Sequence, residues 1–576
     1  MPVRDSRAGR TGAGQPRTPP IHGGGARPQF NTSRSAPARP GQAGARPYHR
    51  APRRAGRGRP APHRHGRGGA APQPGKPAAF ATIMTVGQSI RSGVKWLAFG
   101  KIGNRLFEFA FGVALARLLV PADFGMIATV QIFTGFVGMF VAGGMGQSLI
   151  RAKEADENDF TAVFTAQLGV GVLVYLGFFL AAPYIARLFS DGLYTDLVRV
   201  SALSFLLRPF TGVRNAWLNR QMAFKSRTLV SVASGLAASA SSVAFALLGM
   251  GVWSLMISGL LGALLGNLWL GRLTPLRLRL NPDRATIRKH AGYGAKIVGA
   301  DFFNYVRAQT QTLIVSKLAG PSFLGLLNKA ESMSRLPNQA IMSPTMEPLF
   351  RAMSQTQDDL DQVKYLYHRS ITLLTAYTAP VYVLLWWIAE PFITVVYGAK
   401  WSAAGEPMGI LTLTGYFLNV LFPSSVVLAV RNQLGREIVA TAFNTVLLAA
   451  GCWIGLRSGL VGVAWGIVLA QAVLTAQLYG LVLRTIPARP AELWHAVAPG
   501  LLLAGLSFAF LALLDRLLGG WQATHPTAYL LAMAILGGCF AAGTFLFLPL
   551  RALQSESSRW RELATKRLRA SIGGGA

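Results

Sequence analysis

Apolar runs of about twenty residues, separated by short polar segments, follow one another along most of the chain. A transmembrane helix needs about twenty predominantly apolar residues, so each run predicts one membrane span. The pattern predicts about fourteen spans, and the segments between them are too short to hold a folded soluble domain. The predicted spans cover residues 93–116, 125–145, 160–186, 194–213, 229–249, 251–271, 293–316, 323–349, 370–396, 406–430, 436–456, 459–483, 493–514 and 527–549.

Two short segments in equivalent places of this pattern have similar sequences. ALARLLVPADFG at residues 114–125 aligns without a gap with IVSKLAGPSFLG at residues 314–325. The alignment pairs a cation, a proline and a glycine: Arg117 with Lys317, Pro121 with Pro321, and Gly125 with Gly325. One segment joins the first and second helices and the other joins the seventh and eighth, so both halves enter the membrane in the same direction. Parallel repeats of this kind predict two bundles with a cavity between them.

The predicted fold class is therefore an all-α polytopic membrane protein, with two six-helix lobes in parallel repeat plus two C-terminal helices. The first residues are rich in Arg, Gly and Pro and almost devoid of aliphatic side chains, which predicts a disordered basic extension. Met84, which is followed by TVGQSIRSGVKW, is a candidate for an alternative start of translation. The predicted domains are the extension at 1–83, an N-lobe at 86–271, a C-lobe at 290–483, the last two helices at 490–550 and a basic cytoplasmic tail at 551–576.

Composition agrees with a membrane location, and the charge pattern predicts an orientation. Only 14% of the residues are charged and the mean hydropathy is +0.36, whereas soluble domains are about a quarter charged. The formal net charge is +34. With a cytoplasmic N-terminus, about nineteen Lys and Arg residues fall in cytoplasmic loops and about seven in periplasmic loops. The sequence therefore predicts a bacterial inner-membrane protein with both termini in the cytoplasm, and its charge requires no nucleic acid partner.

Four sequence segments together resemble a known family of transporters. They are LARLLVPADFGMIA at 115–128, GGMGQSLIRAKE at 143–154, KLAGPSFLGLLNKAESMSRLP at 317–337 and GAKW at 398–401. They resemble the polysaccharide transporters of the multidrug/oligosaccharidyl-lipid/polysaccharide exporter superfamily, especially the Wzx-type and colanic-acid-exporter branch. The resemblance covers roughly residues 86–485 and more weakly the last two helices.

This resemblance implies a flippase that works by alternating access. The implied cargo is an oligosaccharide on undecaprenyl diphosphate, such as an O-antigen, exopolysaccharide or capsule repeat unit, which moves across the inner membrane. It implies a polysaccharide polymerase and a chain-length regulator as partners, and no cofactor apart from a proton or sodium gradient. Many members of the family carry Asp in the seventh helix where this chain has Gln311, which weakens ion coupling at that position.

A diphosphate and a glycan both need polar partners inside the membrane, and charged residues in spans usually face an aqueous cavity. The first and seventh helices each carry polar residues at a spacing of three and four, on one helical face. They supply the predicted substrate-binding residues: Asn104, Arg105, Asn304, Arg307 and Gln311. Glu108 and Asp301 are candidates for ion coupling, and a structural ion pair between Arg105 and Glu108 is the alternative.

Two further groups of residues are candidates for contact with the cargo, and each has a simpler explanation. A basic cytoplasmic cluster is a candidate gate for the headgroup, although the positive-inside rule explains it without any cargo: Arg214, Lys225 and Arg227. Three tryptophans could stack on sugar, but an aromatic belt at the membrane interface is the favoured interpretation: Trp386, Trp387 and Trp401.

Other functions remain open at this point. A cation-coupled small-molecule exporter or a lipid II-type flippase would share the helix plan. A polytopic polymerase, ligase or glycosyltransferase would handle the same lipid carrier, but such enzymes need a large extramembrane loop with catalytic side chains. The histidines are scattered, and both cysteines, Cys452 and Cys539, lie inside apolar runs. The sequence therefore predicts neither a catalytic site nor a metal site.

Overall fold

The computed structural model describes residues 107–142, 144–189 and 191–573, and in these ranges every regular element is helical. The predicted extension at 1–83 and most of the first predicted span lie outside the described residues. Helix α1 comprises residues 107–118. The other helices of the first half are α2 (Pro121–Ala142), α3 (Met145–Arg151), α4 (Glu157–Phe189), α5 (Leu193–Ala202), α6 (Ser204–Arg220), α7 (Phe224–Leu247) and α8 (Val252–Leu273).

The second half begins with a long bent helix and ends with an amphipathic tail helix. Its helices are α9 (Arg284–Ser334), α10 (Leu336–Gln355), α11 (Leu360–Trp387), α12 (Ala389–Tyr397), α13 (Gly405–Val430), α14 (Leu434–Gly455), α15 (Gly459–Leu483), α16 (Pro490–Leu518), α17 (Trp521–Thr524), α18 (Pro526–Phe547) and α19 (Gln554–Gly573). A 3-10 helix, Ala399–Ala404, joins α12 to α13.

Eight helical segments of the described residues are long and apolar enough to cross a membrane. They are Glu157–Phe189, Phe224–Leu247, Val252–Leu273, Leu360–Trp387, Ala399–Val430, Leu434–Leu483, Pro490–Leu518 and Pro526–Phe547. One of these segments contains the two helices α14 and α15. The remaining predicted spans fall on α1, α2, α5–α6, α9 and α10, so the number of spans stays a prediction.

Helix α9 contains the seventh predicted span and the beginning of the eighth, which continues into α10, and a bend separates the two. Gly320 has a φ of 82°, a left-handed conformation that L side chains rarely adopt. Pro321 follows at once, and proline suits the first position of a helix because its missing N–H has no partner to lose there. The bend therefore divides α9 into a first arm, residues 284–319, and a second arm, residues 321–334.

Aspartate residues cap the first turns of two of the long helices. The Asp283 carboxylate accepts a hydrogen bond from the backbone N–H of Ala285 at 3.0 Å and so caps α9. Hydrogen bonds from the Thr286 hydroxyl and from that N–H lower the pKa of Asp283. Asp359 caps α11 in the same way, through the N–H of Gln362 at 2.9 Å. These caps lie in the polar connectors between apolar runs.

The largest buried core lies where the second arm of α9 meets α12 to α15. Leu324, Ile393 and Trp401 are fully buried there, and Val315 of the first arm reaches the same core. Large apolar side chains elsewhere on the helices are exposed, for example Leu180, which is 71% exposed. In a chain that crosses a membrane, lipid solvates such side chains directly, so this exposure carries no penalty.

Candidate functional site

The two repeated segments contact each other in the folded chain, and the contact is reciprocal. A Cβ atom added at Gly125 would overlap the backbone carbonyl of Pro321, and a Cβ atom added at Gly325 would overlap that of Pro121. Residues that are equivalent in the alignment therefore exchange roles across the contact, as expected for two halves related by a local twofold axis. We call this contact, between residues 114–125 and 314–325, the repeat junction.

The paired cations of the repeat bind helix ends in the opposite half. Arg117 donates from Nε to the carbonyl of Val396 at 3.0 Å and from a terminal nitrogen to that of Val395 at 2.7 Å. Both carbonyls belong to the last turn of α12. Lys317 donates to the carbonyl of Leu188, in the last turn of α4. Helix C-termini attract cations because their last carbonyls lack partners within the helix. Each repeat therefore ties one helix end of the other half to the junction.

An aromatic cluster packs against the repeat junction. The indole N–H of Trp401 donates to the carbonyl of Ala116 at 2.7 Å, and the side chain is fully buried. The Lys329 ammonium lies 4.9 Å from the ring centroid of Phe124, 4.5 Å from that of Tyr397 and 5.1 Å from that of Trp401. The interpretation of Trp401 as part of an interfacial belt was wrong, because its indole N–H has a buried carbonyl partner.

Beyond the junction, α2 and the first arm of α9 remain packed together. The Tyr305 hydroxyl lies within hydrogen-bond distance of the carbonyls of Gln131, at 3.0 Å, and Ile132, at 2.8 Å. A Cβ atom at Gly135 would overlap this hydroxyl. From Gly125 to Gly135, at 1.5 Å per residue, the contact runs for about 15 Å along α2. The two halves are therefore closed against each other for about 15 Å beyond the junction, roughly half the thickness of a bilayer core.

An arginine inside a predicted span, which the sequence analysis missed, lies at the end of this closed stretch. Arg208 of α6 extends to the backbone of Gly138, one turn beyond Gly135 on α2. Its guanidinium lies 5.5 Å from the Phe205 ring centroid. The side chain is exposed, and among the described residues it forms no salt bridge. An accessible cation inside a span that lacks a carboxylate partner is suited to bind a mobile anion.

A carboxylate, also missed by the sequence analysis, connects the two arms of α9. The Gln311 amide donates to Glu331 Oε2 at 3.1 Å, and Arg335 forms a salt bridge with the other oxygen of the same carboxylate. The Glu331 side chain is 17% exposed, whereas that of Arg335 is 53% exposed. Arg307 lies one turn before Gln311 on the same face, and its side chain is exposed. The predicted Gln311 is therefore a partner of Glu331.

For several predicted site residues, the side chain lies outside the described part of the structure. Asn104 and Arg105 lie outside the described residues. Asp301 and Asn304 belong to the first arm of α9, but their side chains lie outside the described part of the structure. Glu108 is exposed on α1. The predicted roles of these residues, including the pair of Arg105 and Glu108, therefore stay predictions.

Two residues of the predicted cytoplasmic gate have partners within the protein. Arg214 donates to the carbonyl of Asn267 at 3.1 Å, and so links α6 to α8. Arg227 donates to the side-chain oxygen of Asn219 at 2.6 Å, and Lys225 is exposed. The neighbouring Arg220 donates to carbonyls at the end of α3, with the one of Leu149 at 2.8 Å. Much of this basic cluster therefore joins helix ends, and a role in binding headgroups stays a prediction.

A buried polar cluster fixes the start of α9 to the first half. The His290 ring lies 2.8 Å from the Ser148 hydroxyl through Nδ1 and 2.9 Å from the Asp159 carboxylate through Nε2. These residue types in this order are those of a hydrolytic triad. However, the histidine is only 1% exposed, so the ring has no open side for a substrate. The cluster is a structural tie between α3, α4 and α9, and the described residues contain no group of three or more His, Cys, Asp or Glu side chains placed to hold a metal ion.

The chain has the fold of polytopic membrane transporters. It matches the lipid II flippase MurJ in an inward closed conformation with a TM-score of 0.63 and 15% identity, over 78% of this chain and 98% of that one. It also matches an inward-facing multidrug resistance transporter of the MATE family with a TM-score of 0.54 and 15% identity, over 68% and 98%. The predicted all-α polytopic fold is therefore confirmed, while the number of helices and their division into two lobes stay predictions.

Sequence comparison identifies the family to which the chain belongs. Residues 114–406 match the family described as polysaccharide biosynthesis protein, and the chain belongs to that family. It is 26% identical to the succinoglycan biosynthesis transport protein ExoT of Rhizobium meliloti over 437 residues, which cover 72% of this chain and 87% of that protein. It is 21% identical to the lipopolysaccharide biosynthesis protein WzxC of Escherichia coli over 414 residues, which cover 70% and 82%. The predicted class, a multi-pass transporter of polysaccharide biosynthesis rather than an enzyme, is confirmed.

Proposed function

We propose that the protein flips an undecaprenyl-diphosphate-linked oligosaccharide across the bacterial inner membrane by alternating access. The observation that carries this proposal is the reciprocal repeat junction, in which equivalent residues of two parallel repeats close one end of the bundle. A transporter needs such a closure at one end while its binding site is open to the other. Family membership and the similarity to a succinoglycan transport protein support polysaccharide cargo.

The proposed orientation has both termini in the cytoplasm, as the charge distribution predicts. The repeat junction then lies at the periplasmic end, so this conformation is closed toward the periplasm. Outward opening would separate Gly125 from Pro321 and Gly325 from Pro121, and it would release the helix ends held by Arg117 and Lys317. Water can solvate the backbone carbonyls and cations that are released, whereas parting Trp401 from Ala116 and Phe124 would also expose apolar surface.

We propose that cations inside the spans hold the diphosphate of the carrier. Arg307 and Arg208 are exposed on helices of the two halves, and Arg105 is the predicted counterpart on the first helix. The planar guanidinium group can bind a phosphate through two parallel hydrogen bonds. Asn104, Asn304 and Gln311 are the proposed uncharged partners of the same cargo.

A proton or sodium gradient is the proposed driving force, and three carboxylates could receive the ion. Glu108 and Asp301 are the predicted positions. Glu331 is a further candidate, because its ion pair with Arg335 and its hydrogen bond with Gln311 connect the two arms of α9. Neutralising Glu331 would weaken the ion pair and free the arms to change their angle.

A lipid II-type flippase is the second candidate function, because the fold match to MurJ has a higher TM-score than the one to the MATE transporter. Both candidates move a polyprenyl-diphosphate carrier, and they differ in the glycan. A polysaccharide polymerase and a chain-length regulator are the proposed partners for the first candidate.

Reconstituted protein can test the function directly. Proteoliposomes would carry a fluorescent undecaprenyl-diphosphate oligosaccharide, and a membrane-impermeant quencher would report its movement between leaflets. We expect movement with the cargo of the organism's own polysaccharide and not with lipid II. Movement of lipid II alone would favour the lipid II-type function, and no movement of either under any gradient would contradict the proposal. Deletion in the native host should abolish the surface polysaccharide while the lipid-linked unit accumulates.

A further inference from the structure

Helices α14 and α15 form an antiparallel pair that is tight at one end. A Cβ atom at Gly451 would come within 3.0 Å of the carbonyl oxygen of Gly466, and one at Gly455 would overlap the backbone of Gly462. Small residues at such positions let two membrane helices approach through their backbones. The tight end is the one joined by the short 3-10 turn Leu456–Ser458.

The other end of the same pair is splayed and leaves an open groove of about 1070 Å³. Gly435 and Gly480 are among the residues that line it, and a Cβ atom at either would meet no neighbouring atom within 4 Å. Helices that touch at one end and diverge must leave such a space unless large side chains fill it. In this pair the glycines leave it unfilled.

The walls of the groove are chemically divided. Val439 and Phe443 of α14 and Leu481 of α15 form an apolar wall, and the first two are exposed. Arg436, in the first turn of α14, and Arg484, just after the end of α15, lie at its polar end. The cationic residues therefore lie at the helix ends, and the apolar residues lie one or two turns deeper along the helices.

The two arginine side chains make no stabilising polar contact within the described part of the protein. Neither side chain has a hydrogen bond or an ion pair with any residue in the described ranges, and no carboxylate is found among the described residues that line the groove. A cation in the first turn of a helix is also disfavoured by the helix dipole, so the position of Arg436 is unfavourable for α14 itself. In addition, the Gln477 side chain, which lines the groove about two turns deeper than Arg484, has a buried carbonyl oxygen that finds no partner among the described residues.

We infer that this groove is a binding site for an anionic phospholipid of the surrounding bilayer. The phosphate would accept hydrogen bonds from Arg436 and Arg484, and an acyl chain would lie against Val439, Phe443 and Leu481. A polar headgroup above an apolar chain has the same division as the groove, which a free phosphate or a peptide lacks. The inference requires only that the pair spans a membrane, and it does not depend on the proposed cargo.

Native mass spectrometry of the detergent-purified protein can test the site. The protein would be equilibrated with phosphatidylglycerol or with phosphatidylethanolamine, and the lipid retained after collisional activation would be compared. We expect preferential retention of one phosphatidylglycerol by the wild type. In the double variant Arg436→Gln/Arg484→Gln, we expect a loss of about tenfold or more in apparent affinity, as for lost hydrogen bonds to charged groups.

Two matched variants separate this site from a general effect of charge. Arg457→Gln removes a cation from the tight end of the same helix pair, where it lies 5.7 Å from the ring centroid of Trp453, and it should retain phosphatidylglycerol like the wild type. Gly480→Leu keeps every charge but fills the groove, and it should lose the lipid.

Equal retention of the two lipids by the wild type would overturn the inference. The positive-inside rule alone would then explain the two arginines. Unchanged retention in the double variant would overturn it as well. If undecaprenyl phosphate displaces phosphatidylglycerol at an equimolar concentration, the groove belongs to the carrier lipid and the assignment to a phospholipid is wrong.

Discussion

The carbonyl of Pro321 occupies the place that the side chain of any residue other than glycine at position 125 would need. The same relation holds between Pro121 and Gly325, so the closed junction tolerates no side chain at either glycine. We therefore expect Gly125→Val and Gly325→Val to disfavour the closed state by about 1–3 kcal/mol, as overpacking does. A cysteine placed at position 322 should react faster with an impermeant periplasmic thiol reagent in these variants.

The control for this prediction is Gly259→Ala, because a Cβ atom there meets nothing within 4 Å. It should insert, export and react like the wild type. Unchanged reactivity in both valine variants would show that the junction is not the periplasmic closure.

The cations of the junction should contribute less than its glycines. Arg117→Ala removes two hydrogen bonds to the end of α12, and Lys317→Ala removes one to the end of α4. Both groups are partly solvated, so we expect each change to weaken the closed state by about 0.3–1 kcal/mol. Arg117→Lys should be closer to the wild type. The measurement is again thiol reactivity at position 322, and an effect larger than that of Gly125→Val would contradict this order.

Neutralising the cations inside the spans should impair export without loss of the protein. We expect Arg208→Ala, Arg307→Ala and Arg105→Ala each to lower surface polysaccharide at matched membrane abundance. Each loss removes charge-assisted hydrogen bonds to the diphosphate. Lysine at these positions keeps the charge and loses the planar fork, so it should be partly active. Wild-type export by all three alanine variants would show that the diphosphate is bound elsewhere, and Arg457→Ala serves as the control.

Glu331→Gln tests the coupling carboxylate. Glutamine can still accept a hydrogen bond from Gln311, but it loses the ion pair with Arg335. We expect flipping in proteoliposomes to continue down a cargo gradient and to lose its response to an imposed proton or sodium gradient. A full response in Glu331→Gln, with loss of the response in Asp301→Asn, would instead assign coupling to the predicted residue on the first arm of α9.

The topology can be checked with reporter fusions. An alkaline phosphatase fused after Arg569 should be inactive, because the tail is predicted to be cytoplasmic. The same reporter inserted near Gly519, between α16 and α18, should be active. The reverse pattern would show that the predicted number of spans is wrong by one.

The repeated segment at the junction could be predicted from the sequence, because a gapless match with a shared proline and glycine indicates the same turn in both halves. Its contacts could not, since the partner of Trp401 is a carbonyl on α1 that only the tertiary fold brings near. Arg208 was missed because one charge in a long apolar run barely lowers the average hydropathy. Glu331 was missed because its partner Gln311 lies on the other side of the bend at Gly320. The tie between Ser148, Asp159 and His290 joins segments that are remote in the chain.

The repeat junction is an isologous interface, of the kind found in twofold homodimers, inside a single chain. Fusion of the two copies frees each side to diverge, and the equivalent cations are now an arginine with two carbonyl partners and a lysine with one. The turns also differ, since Gly320 has a positive φ and its counterpart Val120 does not. A true homodimer would open both halves of such an interface with equal ease. Here the Lys317 side has one hydrogen bond to break and the Arg117 side has two. Opening should therefore begin at the end of α4 and spread to the end of α12.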